Sequence, residues 1–150
     1  MGATFWMCRA QTSPLVWNWG LNGACRGGHK ELAEFMIEKG ATNLSWGLFA
    51  ACLGGKIELS EFMIKKGAKD LTWGFRGACY GGHMDLSLLM INKGGGCRDT
   101  ALRIACREGH KELAQLLVQQ NKNIKPHQTN DFFIHITDET LDLFKRTFQQ

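Results

Sequence analysis

Four cysteines stand at a constant spacing, and this spacing constrains the fold more than any other feature of the chain. They are Cys25, Cys52, Cys79 and Cys106, each 27 residues after the one before. The Trp-Gly pairs that begin at Trp19, Trp46 and Trp73 recur at the same step. A fixed period of this length is typical of repeat proteins, in which similar units stack and bury one continuous core.

Each unit predicts a pair of short helices. The text of residues 28–41 returns with small changes at 55–68, 82–95 and 109–122. Gly27-Gly28 and its equivalents end the first helix, because glycine reaches the left-handed conformation that closes a helix. We predict a first helix over 19–26 in unit one, and an N-cap side chain before the first helix of every unit. The predicted N-caps are Asn18, Ser45, Thr72 and Asp99.

The second helix of each unit has an acidic residue in its first turn and apolar residues at helical spacing. In unit one, Leu32, Phe35 and Met36 are predicted to face the core. Isolated helices shorter than about 12 to 15 residues are marginal in water. Stacking between units must therefore supply the stability.

The two ends of the chain depart from the repeat. Residues 1–18 predict a remnant second helix that caps the array. Pro14 is expected to end this helix, and Phe5, Met7 and Cys8 are expected to face inward. Residues 121–130 form a polar linker, and 132–136 suit either a short helix or an extended segment. A closing helix is predicted after Thr137. Its inward-facing residues are Leu141, Leu143, Phe144 and Phe148.

Composition limits the class of protein. No stretch approaches the roughly 18 apolar residues of a membrane span, and the N-terminus does not resemble a signal peptide. Equivalent cysteines in stacked units should lie about 9 to 10 Å apart, which is too far for a disulfide. We therefore expect reduced thiols and an intracellular, most simply cytoplasmic, protein. The formal charge of +4 is spread along the chain and makes nucleic acid an unlikely partner.

Residues 28–41, Gly-His-Lys-Glu-Leu-Ala-Glu-Phe-Met-Ile-Glu-Lys-Gly-Ala, together with Leu21, Ala24 and Cys25 before them, resemble the two-helix core of the ankyrin repeat family. The resemblance covers roughly 19–120. It implies an all-α, ankyrin-like solenoid of stacked helix-turn-helix repeats. Shortened Trp-Gly units of this kind are similar to those in expanded families encoded by large DNA viruses of amoebae.

Two departures from the family pattern stand out. An ankyrin repeat has about 33 residues, and the shorter step here leaves few residues between a second helix and the next first helix. We therefore expect the β-hairpin fingers of the family to be reduced or absent. Tryptophan also replaces the threonine that the family places at the start of the first helix, and a ladder of Trp19, Trp46 and Trp73 is expected to pack between units.

These observations predict three parts of the chain. Residues 1–18 form an N-terminal capping half-repeat, and 121–150 form the linker and the C-terminal capping helix. Four repeats lie between them, at 19–45, 46–72, 73–99 and 100–120.

The sequence indicates neither a metal site nor a catalytic site. Three of the repeated cysteines precede a histidine by four residues, but Lys56 takes the histidine position in unit two, and zinc needs four converging ligands. The repeated Gly-Gly lacks the residues of a phosphate-binding loop. We predict no metal, no cofactor and no enzymatic activity.

Positions that differ between units, while the rest of the repeat is kept, are the candidates for binding a partner. Two neighbouring columns on the first helices differ from unit to unit, and residues four apart share a helix face. The resemblance implies that partners bind on this concave face, and tyrosine and arginine are frequent at binding hot spots. The candidate partner-binding residues are Asn22, Arg26, Phe49, Leu53, Arg76, Tyr80, Arg103 and Arg107.

The predicted function is a non-catalytic protein-protein interaction module. Phe49 and Leu53 could instead pack against the adjacent first helix, with the arginines simply solvated. Two other functions remain open: nucleic-acid binding through the arginines, and self-association through exposed end faces. Oligomerisation is possible but not predicted.

Overall fold

A computed structural model describes residues 13–122 and 136–149. Within these residues the chain forms nine helices and no strand. The helices are α1 (Pro14–Gly27), α2 (Lys30–Glu38), α3 (Leu44–Leu53), α4 (Ile57–Lys65), α5 (Leu71–Gly81), α6 (Met84–Asn92), α7 (Arg98–Glu108), α8 (Lys111–Lys122) and α9 (Asp138–Phe148).

Consecutive helices pair into four hairpins, and the hairpins stack in chain order. The first helices α1, α3, α5 and α7 lie side by side, and each packs against the second helix that follows it. Gly28, Gly82 and Gly109 close three of the first helices with positive φ angles of 86°, 70° and 79°. The predicted all-α, ankyrin-like solenoid is confirmed, and short turns stand in place of fingers in the described part of the chain.

Pro14 begins a helix, whereas the sequence predicted that it ends one. It occupies the first turn of α1 after Ser13, where the missing N–H group of proline costs no hydrogen bond. The first helix of unit one is therefore longer than the predicted 19–26. The predicted cap residues Phe5, Met7 and Cys8 lie outside the described residues.

The predicted N-caps are wrong by two residues or more. Asn43 and Asp70 cap α3 and α5, accepting hydrogen bonds from the backbone N–H groups of Trp46 and Thr72 at 3.1 and 3.0 Å. Cys97 precedes α7 without such a bond, and Ser13 precedes α1 likewise. The predicted residues Asn18, Ser45, Thr72 and Asp99 lie inside their helices.

Three of those four residues instead join one unit to the next. Asn18 Oδ1 accepts hydrogen bonds from the backbone N–H groups of Thr42 and Asn43, at 2.8 and 3.0 Å. Ser45 Oγ accepts one from the backbone N–H of Asp70 at 3.4 Å. Asp99 binds the start of α9, through a bond of 3.0 Å from the backbone N–H of Thr137. A polar side chain within one first helix thus fixes the start of the next.

The core runs through the stack without interruption. The repeated cysteines are buried, as are the leucine or phenylalanine four residues before each of them. Ser60 and Ser87 are also buried, and their hydroxyl groups donate to the carbonyl oxygens of Lys56 and His83 at 2.8 and 2.9 Å. These bonds satisfy polar groups that would otherwise destabilise the core.

Unit one is less buried than the sequence predicted. Leu32 and Phe35 are 43% and 44% exposed and Met36 is half-buried, whereas Leu59, Leu86 and Leu113 at the position of Leu32 are at most 3% exposed. These residues lie in the first of the described hairpins, whereas Leu59, Leu86 and Leu113 lie in later ones. Ala33 is the buried residue of α2.

The closing helix α9 is present and begins after Thr137, as predicted. It packs mainly on α7, the first helix of unit four. Phe144 is buried, and Leu141 and Phe148 are half-buried, but Leu143 is 40% exposed and does not face the core. Helix α9 contacts α7 and is bonded to Asp99, so it takes the position that the first helix of a fifth unit would have.

Candidate functional site

The first helices form the inner side of the array. Neighbouring first helices contact each other far more extensively than neighbouring second helices do. Helices that crowd on one side and separate on the other curve the stack towards the crowded side. The two variable columns of residues lie on these first helices.

The contact between neighbouring first helices varies along the stack. α3 and α5 make the most extensive contact, α1 and α3 an intermediate one, and α5 and α7 the least among the four hairpins. One repeat position forms a column across these helices, with Gly77 in α5, Ala50 in α3 and Ile104 in α7. A Cβ atom at position 77 would collide with the carbonyl oxygen of Phe49. The larger the side chain in this column, the wider the gap.

The wide gap between α5 and α7 opens a cleft, here named the inner cleft. Its volume is about 510 Å³. It is lined by Arg76, Tyr80, Thr100, Arg103, Ile104, Cys106, Arg107 and Leu143. Four of the eight candidate residues, Arg76, Tyr80, Arg103 and Arg107, are therefore brought together in one place.

The inner cleft combines apolar walls with a cationic rim. The Arg107 guanidinium carbon lies 5.8 Å from the centre of the Tyr80 ring, within the range of a cation-π contact. Arg103 pairs with Asp99 at 3.5 Å, and Arg107 pairs with Glu108 at 3.1 Å. Both arginine side chains are more than half exposed, so these ion pairs contribute little to stability and can exchange for a partner's carboxylate.

The other four candidate residues do not line this cleft. Phe49 is half-buried and packs edge-on against Trp73, with the ring centres 5.9 Å apart. Leu53 and Asn22 are half-buried, and Arg26 is exposed near the end of α1. Trp19 and Trp46 pack together as predicted, with their ring centres 4.8 Å apart. Trp73 packs against Phe49 instead.

Leu143 is a cleft residue that the sequence pattern assigned to the core. The sequence carried no direct signal for its position, because α9 follows the repeats after an insertion and its register cannot be read from the 27-residue step. The bond between Asp99 and Thr137 sets that register.

Two histidines have a structural role that sequence reasoning missed. His83 Nε2 lies 3.1 Å from the carbonyl oxygen of Leu53, and His110 Nε2 lies 2.9 Å from that of Tyr80. Each bond ties the start of a second helix to the first helix of the preceding unit. The bonds fix the backbone at two candidate positions, which favours a pre-formed surface.

The repeated thiols are packing groups. Burial raises the pKa of Cys25 and Cys79 to about 12 and that of Cys52 to about 11. Burial also raises the pKa of Cys106. These thiols stay protonated near neutral pH, and a protonated thiol is a poor nucleophile. All four are free rather than disulfide-bonded.

The described residues do not offer the groups that a metal site or a membrane span needs. They contain no group of three or more His, Cys, Asp or Glu residues placed to hold a metal ion. No helix in this part of the chain has the length and apolar character needed to cross a membrane.

Comparison with known families adds one result. Residues 97–131 match the family model described as Ankyrin repeat. This segment is therefore similar to an ankyrin repeat. It contains α7 and α8, which form the hairpin of unit four, and it extends beyond them into residues outside the described part of the chain. No curated protein shows significant similarity to the chain.

The ankyrin match covers the unit that borders the inner cleft. The three preceding hairpins repeat its geometry and its buried cysteine, which makes the described array ankyrin-like throughout. Ankyrin repeats are in general protein-protein interaction modules and are typically non-catalytic. The shortened step of 27 residues is a property of this chain.

Proposed function

We propose that the chain is a non-catalytic module that binds a partner protein on the inner face of its first helices, with the inner cleft at the centre. The observation that supports this most is the gap between α5 and α7, which gathers Arg76, Tyr80, Arg103 and Arg107 around an apolar floor. Tyrosine and arginine are enriched among residues that dominate binding energy. Asn22, Arg26, Phe49 and Leu53 extend the proposed surface towards unit one.

The lining of the inner cleft favours one kind of partner. Ile104 and Leu143 offer apolar surface, while the three arginines stand around it. We infer that the partner presents an apolar side chain flanked by aspartate or glutamate. Arginine binds carboxylates in a two-pronged geometry, so such a segment would gain both burial and charge-assisted hydrogen bonds.

The alternatives have less support. Arg103 and Arg107 each have a carboxylate within 3.5 Å on their own helix, which lowers the positive potential available to a nucleic acid. Self-association would use the exposed apolar residues of unit one, which lie away from the inner cleft. We also propose the division into 1–18, 19–120 and 121–150, and a cytoplasmic location, since buried free thiols suit a reducing compartment.

A peptide-display selection tests the proposal and does not require the partner to be identified first. Peptides selected on the wild-type chain should carry acidic residues beside an apolar one. Their affinity, measured by calorimetry, should fall by about tenfold or more in the Arg76→Ala/Tyr80→Ala/Arg103→Ala variant, because loss of a hot-spot residue weakens binding by at least that factor.

The matched control is Glu61→Ala/Lys65→Ala, on the exposed side of the second helix α4. This variant should bind the same peptides as the wild type does. Equal affinity in the triple variant, or an equal loss in the control, would remove the inner cleft from consideration. Selected peptides without acidic residues would overturn the proposed partner chemistry.

A further inference from the structure

A second cleft, here named the loop cleft, lies where the end of α6 turns into α7. Its volume is about 620 Å³. It borders the inner cleft, since both are lined by Arg76 and Thr100. None of the eight candidate residues except Arg76 belongs to it.

The loop cleft follows from a glycine run that is specific to unit three. Residues 94–97 are Gly-Gly-Gly-Cys, whereas the equivalent residues 40–43 and 67–70 are Gly-Ala-Thr-Asn and Gly-Ala-Lys-Asp. A Cβ atom at Gly96 would overlap the ring of Phe75, and one at Gly95 would lie 2.7 Å from the carbonyl oxygen of Leu71. Side chains that fill this turn in units one and two are therefore excluded here.

The lining of the loop cleft is cationic and rich in hydrogen-bond donors. Arg76 and Arg98 both line it, together with the polar residues Thr72, Asn92 and Thr100. The Thr100 hydroxyl lies 3.0 Å from Cys97 Sγ, within the same lining. No carboxylate of the described residues is part of the lining. Asp99, the nearest acid in sequence, already accepts hydrogen bonds from Thr137 and Thr140.

Arg98 provides the observation that points to a ligand. Its Nε is buried and has no hydrogen-bond partner among the described residues. A buried donor on a charged group that lacks an acceptor is costly, and such groups in proteins normally meet a water or an ion.

The first turn of α7 lies at the same place and has no side-chain cap from Cys97. In units two and three, Asn43 and Asp70 supply a side-chain oxygen to a first-turn N–H group. Cys97 supplies none to α7. The N-terminus of a helix attracts anions through its unpaired N–H groups and its dipole.

We propose that the loop cleft binds a phosphomonoester group. Two guanidinium groups and an uncapped helix start stand around the cleft. A phosphate presents three terminal oxygens and up to two negative charges to them, whereas a carboxylate presents two oxygens and one charge. The apolar walls formed by Phe75 and Ile91 suit an organic body attached to the phosphate. This site is separate from the proposed function, because Arg98 does not line the inner cleft.

Cys97 makes the proposal testable in the whole chain. It lies in the lining of the loop cleft and is partly exposed, while the four repeated cysteines are buried. The experiment measures the rate at which N-ethylmaleimide alkylates Cys97, read by mass spectrometry of the Cys97 peptide. Phenyl phosphate is the first probe, with ionic strength held constant by sodium chloride.

Phenyl phosphate at ten times its dissociation constant should slow the alkylation by about tenfold, since only the free cleft reacts. The Arg98→Met variant keeps the aliphatic stem but removes the orphaned donor, and it should raise the dissociation constant by about tenfold or more. The same concentration of phenyl phosphate should then slow the alkylation by about twofold or less. Rates are compared with and without ligand within each variant, so a change in the intrinsic reactivity of Cys97 cancels. Arg146→Met, an exposed arginine of α9, is the matched control and should protect like the wild type.

The remaining probes identify the source of the phosphate. Protection by a phosphotyrosine peptide but not by its unphosphorylated form would support a phosphorylated partner, and protection by phenyl phosphate alone would support a small-molecule ester. Protection by inorganic phosphate but by neither ester would overturn the proposal, as would equal protection by sodium chloride or no effect of Arg98→Met. A failure of either kind leaves the peptide selection on the inner cleft unaffected.

Discussion

Asp99 holds the closing helix α9 through a single carboxylate oxygen. Its Oδ1 accepts hydrogen bonds from the backbone N–H of Thr137 at 3.0 Å and from the hydroxyl groups of Thr137 and Thr140 at 2.8 and 2.6 Å. Arg103 lies 3.5 Å from its other oxygen. Asp99 thus links the docking of α9 to an arginine of the inner cleft.

Replacing Asp99 by Asn should destabilise the chain by about 1–2 kcal/mol, because the bonds to a charged acceptor are weakened while the shape is kept. Urea denaturation of the two proteins at pH 7 measures the difference. Asp142→Asn, in an exposed ion pair of α9, is the control and should change the free energy of unfolding by less than about 0.5 kcal/mol. An equal effect of both substitutions would contradict the role assigned to Asp99.

The same carboxylate should make stability depend on pH. Burial alone would raise the pKa of Asp99, but the hydrogen bonds from Thr140 and Thr137 and the Arg103 guanidinium outweigh it and hold the pKa below its ordinary value of 3.8. A group with a depressed pKa in the folded state contributes its full stability above its unfolded pKa and loses it as pH falls through the folded value. The difference between wild type and Asp99→Asn should therefore be complete at pH 7 and shrink below about pH 4. A difference that stays constant down to pH 2 would contradict this.

At the scale of the helix, Gly77 and Gly23 occupy the same position in two first helices but have opposite surroundings. A Cβ at Gly77 would collide with the backbone of α3, whereas a Cβ at Gly23 would meet no atom within 4 Å. Of these two glycines, only Gly77 lies where a side chain would push two helices, α3 and α5, apart.

Alanine at these two positions should change stability in opposite directions. Gly23→Ala should stabilise by up to about 1 kcal/mol, because alanine is the better helix former. Gly77→Ala should destabilise by about 1–2 kcal/mol, since overpacking between two backbones outweighs that gain. Thermal denaturation of both variants checks the signs, and a stabilising Gly77→Ala would show that the spacing of first helices is not set by this column.

At the scale of the whole molecule, stability should be unevenly distributed along the stack. Leu32 and Leu86 are equivalent residues, yet Leu32 is 43% exposed and Leu86 is 1% exposed. Leu86→Ala should cost about 2–5 kcal/mol through lost burial and a residual cavity. Leu32→Ala should cost less than about 1 kcal/mol. Denaturant unfolding of both variants measures this, and equal losses would indicate that unit one is covered as fully as unit three.

The repeat itself could be predicted from the sequence, because period, helix pairing and buried cysteines all depend on local pattern. The N-caps could not. Asn18, Ser45 and Asp99 are good capping types, but their oxygens bond to the start of the next unit. Only the stacked arrangement of the helices distinguishes the two uses.

The candidate columns were identified from their variability, and whether they bind a partner stays a prediction. What could not be predicted was the grouping of residues into clefts. That grouping depends on the reduced contact between α5 and α7, where Ile104 lines the inner cleft, and on the glycine run beside Phe75. Neither cleft can be recognised before the distances between the helices are known. The places of Leu143 and Arg98 in these clefts could not be predicted for the same reason.

The link from Asp99 to Thr137 spans 38 residues, whereas the corresponding links from Asn18 and Ser45 to the start of the next unit span 24 or 25. Equivalent side chains therefore bind the start of the following helix across very different numbers of residues. Extra loop length costs little entropy once a loop is already long, at about 0.6 kcal/mol for each doubling. Docking of α9 on α7 therefore does not require the 27-residue step, and a closing helix could reach this position from other distances along the chain.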